Sequence, residues 1–184
     1  MAEITPGDPI QRARLGDPNA VGALYEQYHL PVFRFLYYRT GDLHTAEDLT
    51  AEVFICMIRS LPGYQPREAP FLAWLFQIAR NLAIDHHRKA GARRMVALEE
   101  TLPAHGEDPT RAVDRRLTSQ KLAEALRSLH EDQRDVIVLR FVAGMSIAET
   151  ARAMLRSEDA IKGLQRRGLN ALRQILSEWE ILYA

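Results

Sequence analysis

The sequence predicts an all-α protein of two small helical domains, joined by an acidic flexible linker, with a helix-turn-helix in the second domain. Apolar residues recur at helical spacing over most of the 184 residues, and no stretch shows the alternation or the β-branched run of a strand. Residues 96–114 lack this period, are acidic and contain two prolines and a glycine, as linkers do. The expected divisions are an N-terminal segment at 1–17, a first domain at 18–92, a linker at 93–117 and a second domain at 118–184.

Two aspartate–proline pairs mark the beginnings of helices near the N-terminus. Asp8 precedes Pro9 and Asp17 precedes Pro18, so each pair offers an N-cap side chain followed by proline at the first helical position. Proline is tolerated there because its missing N–H would have no partner inside the helix. The second pair begins a long helix, and Pro31 is expected to kink or break it.

The first domain is expected to end with a third helix, a loop and a fourth helix. The third helix is predicted over about 44–60. The next residues, 61–70, contain three prolines and a glycine, which excludes a continuous helix. The fourth helix, at 70–89, carries an apolar stripe that we expect to face the core, formed by Phe71, Leu75, Ile78 and Leu82.

The fourth helix also carries a second stripe of mixed polar and aromatic character. Bases stack on aromatic rings and phosphates attract cations, so a ring, two amides and a basic end on one face suit contact with nucleic acid. An ordinary amphipathic helix with a solvated polar face is the alternative that this helix alone leaves open. The stripe consists of Trp74, Gln77, Asn81, Asp85 and Arg88.

The second domain contains two matched helix beginnings. Ser146 is followed three residues later by Glu149, the pattern of a capping box. Ser157 begins the next helix, and acids in the first turn of that helix suit its dipole. Upstream, Asp132 is expected to cap the preceding helix and Gly144 to end it.

A short helix at about 147–154, a tight turn and a longer basic helix make a helix-turn-helix. The second helix of this motif fits the major groove with its N-terminal residues at the base edges. A plain helical hairpin with solvated basic positions is the alternative. The side chains placed for base edges are Glu158, Asp159, Lys162, Gln165 and Arg166, with Arg167 and Arg173 placed for phosphates.

Charge is unevenly distributed along the chain, although the formal net charge is zero. Residues 71–94 hold five basic residues against one acid, and residues 152–173 hold six against two. Residues 98–114, between them, hold five acids and one arginine. The zero net charge therefore results from basic and acidic segments that offset each other. The two basic segments coincide with the two helices that suit nucleic acid.

Composition argues against several classes of protein. The single cysteine, Cys56, excludes an intramolecular disulfide and is expected to fill a small apolar site. No two of the six histidines form a metal-ligand pair at i, i+4 on one helix face, and no glycine-rich phosphate loop occurs, so we expect no enzyme activity, metal or cofactor. No apolar stretch reaches the length of a membrane span and no signal peptide is visible, so a reducing cytoplasm is the expected setting.

Three stretches, in order and at matching spacing, resemble the extracytoplasmic-function sigma factors, small two-domain sigma subunits of bacterial RNA polymerase in the sigma-70 family. Residues 45–54, TAEDLTAEVF, are similar to the core-polymerase-binding helix of that family. Residues 71–89 are similar to its minus-ten promoter helix, and residues 126–176, which include DQRDVIVLRFVAG at 132–144, to its minus-thirty-five domain.

The resemblance implies a transcription initiation factor rather than an enzyme. The chain would bind the beta and beta-prime subunits of core RNA polymerase, recognise the minus-ten and minus-thirty-five elements and help to open promoter DNA, contacting it both double- and single-stranded. The loop at 61–70 would form the pocket for a flipped minus-ten base, with Tyr64 stacking on that base. The acidic linker would thread toward the active-site and RNA-exit channels of the polymerase, and an anti-sigma protein is the regulator often found in this family.

The same resemblance assigns residues to each contact. Those expected against core polymerase are Asp48, Leu49, Glu52, Val53 and Phe54. Those expected against the minus-ten element are Tyr64, Trp74, Arg80, Asn81, Asp85, His86, Arg88 and Lys89. Those expected against the minus-thirty-five element are Ser157, Glu158, Asp159, Lys162, Gln165, Arg166 and Arg167.

The helix-turn-helix departs from the pattern of the family in its turn and its second helix. Leu155 and Arg156 stand where that pattern usually has glycine and then an apolar residue, and Leu164 and Gln165 stand where it more often has arginine and leucine. Glycines at 163 and 168 are each expected to cost the recognition helix about 1 kcal/mol relative to alanine.

A stand-alone helix-turn-helix regulator, with the N-terminal helices as a sensor or dimerisation unit, is the main competing hypothesis. It predicts specific duplex binding by the chain alone, whereas a sigma factor binds a duplex weakly until core polymerase is added. A pure protein-interaction scaffold is a further alternative, and the locally basic helices argue against it.

Overall fold

The computed structural model describes residues 8–66, 69–90 and 121–183, and the predicted linker at 93–117 lies outside them. Within these ranges all regular secondary structure is helical, which confirms the all-α class. None of the helices described there is long and apolar enough to cross a membrane. The helices are α1 (Pro9–Arg14), α2 (Pro18–Thr40), α3 (Leu43–Ser60), α4 (Phe71–Ala90), α5 (121–127), α6 (Glu131–Ile137), α7 (Ile147–Met154) and α8 (Glu158–Tyr183).

Both predicted aspartate caps are present. The Asp8 carboxylate accepts a hydrogen bond from the Ile10 backbone N–H (3.0 Å), and that of Asp17 accepts one from the Asn19 N–H (2.9 Å). These bonds satisfy backbone donors that have no partner inside the helix. α1 packs on the first domain through buried Ala13, so part of the segment 1–17 belongs to its core.

The long second helix continues through Pro31, so the predicted break does not occur there. Proline removes one hydrogen bond from the helix interior. Buried side chains on both sides of it, Leu24 before and Val32 and Phe35 after, hold the two halves of α2 in the same core. Burying such a side chain stabilises by about 1.5–3 kcal/mol, so three of them outweigh the lost hydrogen bond.

The core of the first domain lies between α2, α3 and α4. Phe35 of α2 meets Phe76 of α4 edge to face, with ring centroids 5.3 Å apart, and Met57 of α3 is fully buried. Phe71 and Leu75 are buried as predicted, and Ile78 and Leu82 are partly buried against the same core. A one-turn 3₁₀ helix at Leu61–Gly63 begins the predicted loop.

The second domain packs α6, α7 and α8 together, and α6 continues into a π-helical turn at Val138–Val142. His130, not Asp132, occupies the N-cap of α6. The predicted capping role of Asp132 is therefore wrong, because its carboxylate lies in the first turn of α6 and is paired with arginines.

The two domains are in direct contact. α4 packs against α7, and α2 packs against α6 and the π-helical turn. Gly41, with φ +73°, ends α2 in the left-handed conformation that favours glycine. A Cβ on Gly41 would lie 2.7 Å from Cδ of Arg127, so this glycine also permits the second domain to approach.

Candidate nucleic-acid interface

α4 divides its surface between the core, the solvent and the second domain. Asn81, Asp85, Arg88 and Lys89 are exposed and form one continuous polar face along the C-terminal half of the helix. Asp85 and Arg88 pair across one turn, with Oδ1 and Nη1 3.5 Å apart. Arg88 and Lys89 in the last turn complement the negative end of the helix dipole, and both side chains are exposed on the surface that we expect to meet phosphates.

The aromatic part of the predicted minus-ten face is packed into the domain. The Tyr64 side chain is buried, at 5% exposure, and its hydroxyl donates to the Ala69 carbonyl oxygen at 2.8 Å. Burial raises the pKa of Tyr64 to about 12. Its ring centroid lies 4.7 Å from that of half-buried Trp74 and 5.5 Å from that of Phe71. The Tyr64 ring therefore offers no open face for a base, and its role in this arrangement is to hold the loop against α4.

Arg80 faces the second domain instead of the solvent. Its Nε lies 3.0 Å from Oδ2 of Asp135 and its Nη2 lies 2.9 Å from Oδ1 of Asp132. On the same side of α4, the Gln77 amide donates to the Arg152 carbonyl oxygen at 2.7 Å. Two members of the expected polar surface are thus engaged by the other domain. His86 is half-buried on α4.

The predicted polymerase-binding residues of α3 separate into buried and exposed sets. Leu49, Val53 and Phe54 are buried in the first domain, so they hold α3 in place and offer no surface to a partner. Asp48 and Glu52 are exposed. The buried three are therefore corrected from contact residues to core residues.

Two exposed apolar residues beside these acids were missed by the sequence argument. Ile55 and Ile58 keep 47% and 49% of their surface exposed. The signal was present, because Ile55 follows Asp48 at i+7 and Glu52 at i+3 and must share their helix face. Exposed isoleucines next to exposed acids make a mixed surface of the kind found at protein interfaces.

The turn of the helix-turn-helix has a left-handed residue at its centre, although the sequence has leucine there and not glycine. Leu155 ends α7 at φ +53°, the left-handed conformation, and the Arg156 N–H donates back to the Ala151 carbonyl oxygen at 2.9 Å. The capping box at the start of α7 is confirmed: Glu149 N–H donates to Ser146 Oγ at 3.1 Å, and Ser146 N–H donates to Glu149 Oε2 at 2.8 Å. A leucine therefore adopts the glycine conformation at the turn.

The N-terminal part of α8 is solvent-exposed, as a recognition helix requires. Ser157 caps it by accepting from the Ala160 N–H at 3.2 Å, so this hydroxyl is already engaged. The Gln165 side-chain oxygen accepts from Arg140 Nε at 3.0 Å, which leaves its amide nitrogen as the group for a base edge. The exposed members of the expected set are Glu158, Asp159, Lys162, Arg166 and Arg167.

Metal chemistry has no visible basis in the part of the chain that the structure describes. No group of three or more histidine, cysteine, aspartate or glutamate side chains lies there in an arrangement that could hold an ion. The charged side chains near α4 and α8 instead pair with each other, as Asp159 and Lys162 do at 3.0 Å.

Two protein-family models match the two domains separately. The model described as Sigma-70 region 2 matches residues 24–93, and the one described as Sigma-70, region 4 matches residues 125–174. The first match contains α3 and α4, and the second contains α7 and α8 as far as residue 174.

Curated relatives match along most of the chain. ECF RNA polymerase sigma factor BldN of Streptomyces coelicolor is 40% identical over 171 residues, which cover 92% of this chain and 65% of that protein. SigX of Bacillus subtilis is 37% identical, with 82% of this chain and 80% of that protein covered. SigD of Mycobacterium tuberculosis is 33% identical, with 93% of this chain and 88% of that protein covered.

Solved structures match the fold. CnrH, in complex with the cytosolic domain of CnrY, has a TM-score of 0.74 at 24% identity, over 92% of this chain and 96% of that one. RpoE of Bartonella quintana, in complex with the anti-sigma factor NepR, has a TM-score of 0.68 at 22% identity, over 85% and 96%. At these identities the likeness concerns the arrangement of the helices.

Proposed function

Because the chain belongs to the extracytoplasmic-function sigma factors of the sigma-70 family, we propose that it is a transcription initiation factor. It binds core RNA polymerase, recognises minus-ten and minus-thirty-five promoter elements, and helps to separate the DNA strands. It acts in the cytoplasm, where its polymerase is, and it catalyses no reaction of its own.

The observation that carries this proposal is the presence, on one chain, of two exposed helix faces suited to two forms of DNA. The α4 face with Asn81, Arg88 and Lys89 offers an amide and two cations to an unwound strand. The N-terminal turns of α8, with Lys162 and Arg166, offer a capped recognition helix to the major groove. A factor that opens a promoter has to hold both a duplex and a single strand.

Core polymerase is the partner proposed for the exposed face of α3. Asp48 and Glu52 supply negative charge, and Ile55 and Ile58 supply apolar surface within the same two turns. This combination favours a partner that is itself an amphipathic surface with basic residues, since complementary charge speeds association and apolar contact supplies affinity.

An anti-sigma protein is the regulator proposed for this chain. RpoE is solved in complex with the anti-sigma factor NepR, and CnrH is solved in complex with the cytosolic domain of CnrY. The stand-alone regulator is the less supported reading, because the match to region 2 covers the N-terminal helices that this reading would make a sensor.

Reconstituted transcription tests the proposal. Purified core polymerase is combined with the full chain and with fragments of the genome from which the chain comes, and the RNA ends are mapped. We expect transcripts that begin at a defined set of promoters and that require both components. Duplex binding by the chain alone, with no transcript from core plus chain on any fragment, would support the stand-alone regulator instead.

A further inference from the structure

The side chain of Arg140 joins three segments of the second domain. Arg140 lies in the π-helical turn at Val138–Val142 and is partly buried. Its Nη1 donates to the Met145 carbonyl oxygen just before α7, and its Nε donates to Gln165 Oε1 of α8 at 3.0 Å. Two of the three guanidinium nitrogens are thus bonded inside the domain, so this side chain is held at a fixed place beside the recognition helix.

Contact with an arginine fixes which way the Gln165 amide points. A free glutamine can rotate its amide by half a turn and exchange its oxygen for its nitrogen, because the two ends have nearly the same shape. A guanidinium carries donors only and cannot accept a hydrogen bond. The oxygen of Gln165 must therefore face Arg140, and the amide nitrogen is the end that is left for another partner.

That amide nitrogen is open to a ligand. Among the described residues it donates to no group, and the buried side-chain atom without a partner belongs to Gln11, so the unpaired nitrogen of Gln165 is not enclosed. Gln165 follows Lys162 by three residues and Glu158 by seven, so the three lie on neighbouring positions of one helix face. A hydrogen-bond donor therefore borders the surface of α8 that we expect in the major groove.

The four bases differ in what they offer to such a donor. In the major groove the purines present the N7 acceptor and thymine presents O4, whereas cytosine presents only its N4 amino group, which is itself a donor. An amide nitrogen that faces cytosine leaves two donors unpaired, which weakens binding. An amide that rotates freely would avoid this loss by turning its oxygen toward the cytosine amino group.

Resting on the proposed function, we propose that Arg140 is a positioning residue for promoter recognition. It holds Gln165 as a donor and so disfavours cytosine at the base that Gln165 meets in the minus-thirty-five element. Gln165 touches the base, and Arg140 decides which atom of the amide does so. Arg140 acts in this role through Gln165 and needs no contact of its own with DNA.

Base-pair substitutions in a promoter test the inference with the complete transcription system. Core polymerase and the full chain are combined on one promoter found by reconstituted transcription, and each pair of its upstream element is changed to the other three. The measurement is the chain concentration that gives half-maximal transcription. When cytosine occupies the contacted position, the parent should need about fivefold more chain than with the best base, the effect of one lost hydrogen bond.

Gln165→Glu identifies the contacted position. The glutamate keeps an oxygen for Arg140 but replaces the outward donor with an acceptor, so the preference at one base pair should reverse in favour of cytosine. The added negative charge weakens binding to every sequence, because it repels phosphates whatever the bases are. The ratio between bases at one position is free of this uniform loss.

Two substitutions at Arg140 separate positioning from charge. Arg140→Gln can donate and accept, so the Gln165 amide regains its rotation and the discrimination against cytosine should fall to within about twofold. Arg140→Lys has donors only, as arginine does, and should keep the discrimination at about fivefold. Arg167→Met removes an exposed cation expected at phosphates, so it should weaken transcription from all sequences without changing the ratio.

Circular dichroism checks that each variant is folded. Should Arg140→Gln not fold, Arg140→Met replaces it, because methionine also releases the amide. A reversed preference in Gln165→Glu, with relaxed discrimination at the same base pair in the Arg140 variant, supports the inference. No reversed base pair in folded Gln165→Glu overturns it. An equal loss for all bases in the Arg140 variant also overturns it, since that result is expected of a phosphate contact or a structural residue.

Failure of this inference is distinguishable from failure of the proposed function. A parent chain that directs no transcription from any fragment overturns the proposed function, and the role of Arg140 in promoter recognition falls with it. A parent chain that directs transcription while the variants show none of these base-specific effects leaves the proposed function standing and overturns the role of Arg140 alone.

Discussion

Leu155 lies in a backbone conformation that a leucine side chain disfavours. Its φ of +53° follows from the tight reversal between α7 and α8, and its side chain is 79% exposed. The left-handed conformation costs a residue with a Cβ roughly 1–2 kcal/mol, and no buried contact compensates for it here. The turn is therefore formed by its hydrogen bonds in spite of the residue at its centre.

Replacing this leucine should stabilise the protein. Leu155→Gly is expected to raise the free energy of unfolding by about 1 kcal/mol, because glycine adopts the left-handed conformation without steric cost. Urea denaturation of the full chain measures the change. The matched control is Leu15→Gly, which removes another highly exposed leucine, at φ −84°, and should give no gain. Equal effects of the two substitutions would contradict the strain argument.

The two glycines of the recognition helix are not equivalent. A Cβ on Gly163 would meet only the far end of the Arg167 side chain, at 3.4 Å. A Cβ on Gly168 would lie 3.0 Å and 3.3 Å from the buried Ile137 side chain of α6. The helix-propensity cost expected from the sequence applies to both, but only Gly168 brings a packing advantage, since it lets α8 approach α6 closely.

Alanine substitutions separate propensity from packing. Gly163→Ala should raise the free energy of unfolding by about 1 kcal/mol, the propensity difference in a helix interior. The free energy of unfolding of Gly168→Ala should be at least ~1 kcal/mol lower than that of Gly163→Ala, because the Ile137 side chain must move. Parallel urea denaturation of the two variants is the measurement. A Gly168→Ala gain equal to that of Gly163→Ala would show that the contact with α6 is not restrictive.

At the scale of elements, α7 depends on its N-terminal capping box. It has only two turns, so its own hydrogen bonds cannot hold it without tertiary support. Hydrogen bonds from the Ser146 hydroxyl and N–H hold the pKa of Glu149 below its usual range. A glutamate with a lowered folded pKa stabilises the native state above the unfolded pKa, and this stabilisation is lost as pH falls.

Removing either half of the capping box should therefore have a predictable cost. Ser146→Ala is expected to lower the free energy of unfolding by about 1 kcal/mol at pH 7. The cost of Glu149→Gln should be largest at pH 7 and should shrink as the pH approaches 4 and below. Chemical denaturation over this range measures both. Ser177→Ala, which removes an exposed hydroxyl from the interior of α8, should change stability by less than about 0.5 kcal/mol. A pH-independent Glu149 effect would contradict the capping account.

The exposed face of α4 is where a substitution can affect DNA without affecting the fold. Asn81 is exposed, whereas Trp74 also packs on Tyr64 and Phe71 and would disturb the domain when replaced. Asn81→Ala should reduce promoter opening by roughly five- to tenfold, the value of one polar contact of about 1–1.4 kcal/mol. Permanganate reactivity of promoter thymines measures opening.

Core binding and an amide control complete that test. Affinity of Asn81→Ala for core polymerase should stay within about twofold of the parent, because Asn81 is not among the residues proposed to contact core polymerase. Gln27→Ala, an exposed amide on α2, should leave both quantities unchanged. Parallel losses of opening and core binding in Asn81→Ala would indicate a folding defect instead of a lost DNA contact.

For the whole molecule, the charged contact between α2 and α4 of the first domain and α6 of the second couples two domains that could otherwise unfold separately. Domains joined by specific contacts unfold together, and domains without them unfold as independent transitions. Arg39, Arg80, Asp132 and Asp135 are among the charged residues at that contact. Cooperative unfolding is therefore a property of the packed arrangement and not of either domain.

Calorimetry should detect this coupling. At low salt the parent chain is expected to unfold in one transition, and Asp132→Asn/Asp135→Asn should resolve into two. Raising the NaCl concentration to about 0.5 M should broaden the parent transition only slightly, because the central pair Arg39–Asp135 is buried and screened little by ions. Two unfolding transitions in the parent, or one in the variant, would contradict coupling through the charged contact between the domains.

Most of the fold was determined by local sequence alone. The aspartate caps of α1 and α2, the capping box of α7 and the core stripe of α4 follow from spacing and from side-chain chemistry within a few residues, and the structure has them as predicted. The exposed members of both proposed DNA-binding faces follow for the same reason, because residues on one helix keep a fixed angular relation.

Only the tertiary structure decided which polar residues face the other domain. Arg80 and Asp132 were placed in a DNA contact and a helix cap, yet they pair with each other across the domains, 52 positions apart. Tyr64 and Val53 were placed on surfaces, yet they are buried. Helical spacing fixes which residues share a face, but what covers that face depends on how separate elements pack, and that is set by the sum of many contacts distant in sequence.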